Sequence, residues 1–289
     1  MVSIQFETKR VEMIYRVFTL FTAIVLSAMS GSIRAGELLS VRTYTANEGG
    51  FLSNSHMVSD GTETVVIDAQ FSVFEGLKVS RVLQSSQQRL SKIIVTHPHP
   101  DHFYGIEILG AQFPDAQIYS GELTKSALDS SIGYWLKNLE NDVGFAQTNE
   151  FENGEFTIGT TQVVYRVFRS GESAENTILY VPEQQILFVG DLASNGVHLW
   201  LAEGNWDNWL AQLDMIKLIG PIKTVYPGHG PVGGRSLLDA AEGYIKNFSR
   251  AIESSESQVQ AIQKMMSLYP NYKLPQILSG SVQAAMAGK

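Results

Sequence analysis

The sequence predicts an α/β chain, α+β in the way its strands are grouped, built as one domain of four layers: two β-sheets packed together between helices, with more helices at the C-terminal end. Three observations predict it. Strand-like runs cluster near the start and recur in the middle of the chain, which suggests two related sheets. Between the two clusters, strand and helix patterns alternate. No long linker, low-complexity tract or tandem repeat divides the 289 residues, whose 44% hydrophobic and 17% charged content is that of a globular protein.

Residues 38–46 and 51–58 read as strands, and Asp60-Gly61 offers a hairpin turn into a third at 64–68. Helical spacing over 73–87 leads to the β-branched strand 92–95, and a helix is predicted from Asp101 onward, with Ile106, Ile108 and Leu109 continuing its apolar face. A short strand at 116–120 precedes a helix over 122–139 that contains Tyr134 and Trp135, and 141–154 turns polar. Strands resume at 155–158 and 162–168. Two more, at 177–181 and 185–189, are joined by a turn at Pro182-Glu183. After Asp207 a helix carries Leu210, Leu213, Ile216 and Leu218, and 224–226 is the last clear strand. From about Ser236 the chain is mostly helical, with Tyr244, Ile245, Phe248 and Ile252 at helical spacing. These helices are expected to pack on the sheets, where they could also line a groove or a dimer contact.

At the N-terminal end, Lys9, Arg10 and Arg16 precede an apolar run of about 13 residues, too short to span a bilayer. Small residues follow, and Ala35 suits the last position of a removed segment, the pattern of a secretory signal peptide over 1–35. Met13 offers an alternative start. The expectation is export to the periplasm or beyond, a mature domain over 36–289, and no stable membrane anchor once the signal is removed. With no cysteine the chain has neither disulfides nor thiolate ligands, which leaves His, Asp and Glu as candidate metal ligands. A net charge of -8 argues against general nucleic-acid binding and leaves a small molecule as the expected partner.

Three of the six histidines fall in the run Thr96, His97, Pro98, His99, Pro100, Asp101, His102, at the end of the 92–95 strand. In an extended segment His97, His99 and Asp101 share one face and His102 the other, so one short loop could feed two adjacent metal sites. Imidazole and carboxylate are ligands that Zn²⁺ and similar ions accept. Two later residues stand at the ends of apolar strands beside glycines, Asp191 after Gly190 and His229 between Gly228 and Gly230. Alone, Asp191 could be a cap and His229 a loop residue; with the first motif they become candidate ligands.

Together these residues strongly resemble the metallo-β-lactamase superfamily, over roughly 38–234. The resemblance implies an αββα sandwich with a two-metal site at the sheet edge. It assigns His97 and His99 to one ion, Asp101, His102 and His229 to the other, and Asp191 to a bridge. Where the family usually has a histidine in a Gly-His-Thr or Gly-His-Ser setting, this chain has Ser170, Gly171, Glu172, Ser173, Ala174, Glu175, Asn176, and alignment on Gly171 and Asn176 places Glu172 at the missing ligand. Alkylsulfatase-like members also use glutamate. Counting Asp101, Asp191, Glu172 and a bridging hydroxide against two divalent ions makes the site formally neutral, one charge below the histidine version. That favours a less acidic bound water and tolerance of harder ions. Two divalent metals are therefore expected, zinc first, with Mn²⁺ or Fe²⁺ as alternatives. Asp68, at the hairpin end, is a weaker candidate for a carboxylate that orients a metal-bound histidine. His198 could face the substrate, and His56 is read as structural.

The implied activity is metal-dependent hydrolysis of an ester, thioester, lactone, sulfate or β-lactam bond, with Asp101 or Asp191 guiding the proton. The cysteine that many β-lactamases place at the second metal is absent, and Asp191 looks more like the bridging aspartate of esterase and thioesterase members. Tyr104, Tyr134, Trp135, Trp200, Trp206 and Trp209 could wall an apolar groove, although their helical spacing suits a core. Two rival readings remain: a mononuclear non-haem iron dioxygenase using His97, His99 and Glu172, and a binding protein that has lost turnover.

Overall fold

Adjacent residues of the central strands enter different apolar layers. In the computed structural model, which describes residues 38–136 and 148–287, with 132–136 as backbone only, β3 (Glu63–Ile67) and β4 (Arg89–Ile94) turn Val65, Ile67 and Ile94 one way and Val66 and Ile93 the other. The first set meets Leu179, Val181 and Phe188 of the second sheet; the second set meets Val79, Leu83, Ile106 and Leu109 of helices. A strand buried on both faces needs this near-continuous apolar character.

The first sheet runs β1 (Ser40–Thr45), β2 (Asn54–Ser59), β3, β4, β5 (Gln117–Ser120), β6 (Thr148–Glu150). It is antiparallel as far as β3 and parallel thereafter. The second runs β11 (Thr224–Pro227), β10 (Ile186–Gly190), β9 (Glu175–Val181), β8 (Thr161–Arg169), β7 (Gly154–Ile158), parallel only between β10 and β11. Helices α1 (Val73–Ser86), α2 (Pro100–Phe103), α3 (Ile106–Gln112) and α4 (Glu122–Leu136) accompany the first sheet. Helices α5 (Trp206–Lys217), α6 (Ser236–Glu253), α7 (Gln258–Leu268) and α8 (Pro275–Ala285) belong to the second. There α6 buries Leu238, Tyr244, Ile245 and Phe248 on one face. These are the four layers expected from the strand grouping.

Three elements differ from expectation. The second strand begins at Asn54 rather than at 51, because the Asn47 side chain accepts from Gly49 N and Gly50 N and winds 48–50 into a 3₁₀ turn, leaving Phe51 and Leu52 with φ of 59° and 55°. The helix after the histidine motif starts one residue early, at Pro100, and breaks into α2 and α3. β6 was not predicted from its polar sequence. Of the helix expected over 122–139, residues 137–139 lie outside the described residues, as do the side chains of Tyr134 and Trp135 and the expected signal segment 1–35. The described residues fall in one of the two units into which the chain divides, Glu37–Lys289. Among them no helix is long and apolar enough to cross a membrane.

Candidate metal centre

The site lies where strands from both sheets end. Beyond β4 the chain stays extended through Thr96, whose carbonyl accepts from Thr177 N of β9 at 2.7 Å and so ties the two sheets together beside His97. The chain then bends at His97 and Pro98, is extended again at His99 (φ −85°, ψ 139°), and Pro100, with its φ already helical, starts α2. The strand alternation expected over the whole motif therefore does not hold. In consequence His102 is not thrown to the opposite side: its ring centroid lies 4.1 Å from that of His97. Asp191 follows β10 and His229 follows β11. Gly228 makes their approach feasible, since a Cβ there would stand 1.8 Å from Asp191 Oδ1.

Two groups of candidate ligands result, His97, His99, Glu172 and Asp191 in one and Asp101, His102 and His229 in the other, each with its donor atoms within 4.8 Å of one another. In the first, His99 Nδ1 is 3.1 Å from Glu172 Oε1, and His97 Nε2 is 3.9 Å from Glu172 Oε2 and 3.7 Å from Asp191 Oδ2. In the second, Asp101 Oδ2 is 3.6 Å from His102 Nε2 and 3.3 Å from His229 Nε2. Asp191 reaches this group as well, with Oδ1 3.4 Å from His102 Nε2 and Oδ2 2.9 Å from His229 Nε2. It stands between the two. Glu172 is only 1% exposed, and Asn176 Nδ2 donates to its Oε2 at 3.1 Å. Glu175, also buried, instead accepts from Leu123 N and Thr124 N at the start of α4.

These donors fit divalent cations. His97 Nε2, Glu172 Oε1 and Asp191 Oδ1 are buried without a hydrogen-bond partner, and all three belong to the first group. Buried polar atoms are normally satisfied, and a carboxylate as buried as Glu172 needs a cation. The set is nitrogen and oxygen only, as zinc and the harder divalent ions accept.

Asp68 stands behind both groups. Its Oδ1 accepts from Thr96 N at 2.8 Å, and its Oδ2 accepts from Thr96 Oγ1 at 2.8 Å and from His102 Nδ1 at 2.9 Å. Thr96 Oγ1 has one proton, given to Asp68, so at 2.9 Å it accepts from His97 Nδ1. His229 Nδ1 donates to Phe51 O at 2.7 Å. Each of these rings is thereby left with an Nε2 lone pair for the centre. The grouping of Asp68 with His97 and His102 is thus made through their outer nitrogens. Thr96 was missed in the sequence; the β3–β4 pairing of Ile67 with Ile94, which brings Asp68 alongside, is the signal that could have found it.

Without cations the centre holds protons. Burial would lower the pKa of His99, but the Glu172 carboxylate outweighs it and holds the ring well above the ordinary value. Burial is likewise outweighed at His102 by Asp191 and Asp101, and at His229 by Asp191. His97 is pushed well down, by burial and then by His102. Burial opposes the charge of Asp191, yet His229, His102 and His97 hold it well below the carboxylate range.

A sequence model described as the metallo-beta-lactamase superfamily matches residues 49–229. The chain belongs to this superfamily. It is similar to a "metallo-beta-lactamase type 2" of Bacillus sp. (strain 170), 30% identical over 164 residues, 55% of this chain and 59% of that protein. It is also similar to an "atrochrysone carboxyl ACP thioesterase" of Cryptosporiopsis sp. (strain 8999), 25% identical over 232 residues, 77% of this chain and 65% of that protein. The chain thus spans less than two thirds of either relative. A solved metallo-beta-lactamase from Pontibacter korlensis shares the fold, with a TM-score of 0.54 and 24% identity over 73% of this chain and all of that one.

Beside the centre of this superfamily member lies a cavity of about 430 Å³. His99, Asp101, Asp191 and His229 reach it, and Phe51, Phe71, Leu199, Trp200, Leu274 and Ile277 supply apolar wall. Of the aromatic residues expected to wall a groove, Trp200 does so. Trp209 is fully buried, Trp206 packs on Phe248, and Tyr104 packs on Phe71 and Phe103. Phe51 and Phe71 were missed because each sits in a turn whose direction is set by backbone at positive φ, at Phe51 itself and at Gln70. His198 is buried yet part of the cavity wall. His56 bridges Thr43 Oγ1 and Pro227 O, steadying the end of β11; burial lowers its pKa to about 4.

Proposed function

We propose that this chain is an exported hydrolase that holds two divalent metal ions, zinc first, and cleaves an ester, thioester, lactone, sulfate or β-lactam bond of a small molecule. The observation that carries the reading is the gathering of His97, His99, Glu172 and Asp191, one ligand atom from each within 4.8 Å of the others, beside the second group of Asp101, His102 and His229. In the first group His97 Nε2, Glu172 Oε1 and Asp191 Oδ1 are buried without a hydrogen-bond partner. In this reading His97, His99 and Glu172 hold the first ion, Asp101, His102 and His229 the second, and Asp191 both. Bound there, the ions supply Lewis acidity and lower the pKa of a coordinated water. The chain's own part is geometric and protic. Asp68 and Thr96 fix the tautomers of His102 and His97, Asn176 orients Glu172, and Asp101 and Asp191 offer carboxylate oxygens at the cavity floor to accept and return a proton.

The test is a panel of ester, thioester, lactone, sulfate ester, phosphodiester and β-lactam compounds, assayed before and after chelation. The reading expects turnover of at least one class, lost on chelation and restored by zinc or manganese. One iron per chain with oxygen uptake would instead identify the dioxygenase, and bound metal without turnover a binding protein. Export rests on the basic, apolar and small-residue pattern before Ala35; fractionation and N-terminal sequencing of the mature chain test it.

A further inference from the structure

We propose that the cavity takes an apolar acyl or alkyl chain of the substrate, attached next to the bond that is cleaved, and that Leu274 and Ile277 of the C-terminal segment set how well that chain is held. This rests on the hydrolytic reading of the adjoining centre and narrows its substrate class.

The candidate ligands His99, Asp101, Asp191 and His229 line the same cavity as Phe51, Phe71, Leu199 and Trp200. A molecule whose reacting bond lies at those ligands sets its neighbouring atoms against a wall that is mostly hydrocarbon, where an apolar chain gains by leaving water and a polar one loses its hydrogen bonds. The other polar side chains of the wall are Ser194, His198 and Glu203, the last 43% exposed. A volume of about 430 Å³ is that of a small-molecule site.

The C-terminal segment completes this wall. Leu274 and Ile277 lie beyond residues 49–229, just before and at the start of α8. Leu274 is 1% exposed and has φ of 61° and ψ of 57°, a left-handed conformation that leucine rarely adopts. Such backbone persists only where the surroundings over-determine it. Here they do so on both sides. Before it, Lys273 N donates to Gly196 O at 2.8 Å and His198 N donates to Lys273 O at 3.1 Å. After it, Ser281 Oγ accepts from Leu201 N at 2.9 Å, and Gly280 comes so close that a Cβ there would stand 2.8 Å from Trp200 Cζ3. The head of α8 is thereby fastened to the stretch 196–201, which carries Leu199 and Trp200. Although buried, Leu274 belongs to none of the three core clusters of the described residues, whereas Leu278 and Val282 of the same helix do. The strained backbone therefore supplies wall to the cavity rather than filling to the core.

Acetohydroxamate, hexanohydroxamate and octanohydroxamate share one metal-binding head group and differ only in chain, so their relative affinities for the zinc-loaded protein, read by calorimetry, report on the wall. Affinity should rise about two- to fourfold per methylene, which makes the octanoyl compound at least about fiftyfold tighter than the acetyl one. Leu274→Asn keeps a side chain that tolerates left-handed backbone but puts an amide in the wall; octanoyl binding should weaken about tenfold and acetyl binding stay within about twofold. Ile277→Ser, at a half-buried position, should act in the same sense by about fivefold, and decides the matter if Leu274→Asn does not fold. Equal affinity across the series, no saturable binding of the octanoyl compound, or octanoyl binding unchanged in the folded variants overturns the proposal. Since binding is read without turnover, a chain-length gain with esters of every chain length left intact would sink the hydrolase and leave the cavity assignment standing.

Discussion

At the scale of single residues, the free nitrogen of each histidine decides what the centre can hold. Asp68 takes the outer hydrogens of His102 directly and of His97 through Thr96, so one carboxylate orients a ring in each group. Asp68→Asn should therefore weaken metal binding by about 10–100-fold, read by competition with a chelator. Thr96→Val should act on the ion held by His97 more than on the other. Proton linkage gives a second expectation. His99, His102 and His229 have folded pKa values raised above the ordinary one. In the metal-free chain their contribution to stability is full below the unfolded histidine pKa and is lost as pH rises through the folded values. A bound cation displaces those protons, so the gain in Tm on metal loading should grow as pH rises from the ordinary histidine value. Calorimetry in buffers of different ionisation enthalpy should show protons released on binding. A gain that shrinks with rising pH would contradict the assignment. Glu172 carries its own expectation: Glu172→His should make the centre one charge more positive, shifting both metal content and the pH dependence of rate. No change in either would remove Glu172 from the ligands.

At the scale of elements, the centre depends on where chains turn. Pro100 starts α2, whose turn brings His102 back beside His97. Gly228 lets the β11 end approach Asp191, and Gly190, with φ of 53°, turns the β10 end there. Gly228→Ala would place a methyl group on the Asp191 carboxylate; a loss of about 1–3 kcal/mol in urea unfolding is expected, with metal content falling at both positions because Asp191 serves both. Much of this framework was legible in the sequence. The β-branched run at 92–95 and the dense histidines after it gave a strand and a ligand loop, and the apolar strands ending at Asp191 and His229 gave the partners. The helix onset was legible to within one residue, but not that its first turn carries His102 back beside His97, since strand alternation sends His102 the other way. Nor was the wall at Phe51, where a side-chain cap from Asn47 overrides strand pattern.

At the scale of the whole molecule, neither sheet alone supplies the first candidate ligand group. His97 and His99 follow a strand of the first sheet, while Glu172 and Asp191 adjoin strands of the second, and Thr177 N bonded to Thr96 O holds the sheet edges in register. Metal should therefore stabilise the sandwich as a unit. Removing it leaves Glu172 and Asp191 buried without their cations, and a lower Tm with the unfolding transition still single is expected in calorimetry. Of the C-terminal segment, Leu274 and Ile277, just before and at the start of α8, line the cavity, while α6 to α8 pack on the second sheet. From sequence its helical spacing could be read but not its contact with the cavity, because the position of α8 depends on the Lys273 backbone bonding to Gly196 and His198.

Two metal positions sharing Asp191 can be counted by elemental analysis of protein purified without added metal, alongside His97→Ala and His102→Ala. About two divalent ions per wild-type chain and about one in each variant are expected. One ion per wild-type chain, lost in His97→Ala and kept in His102→Ala, would contradict the shared centre.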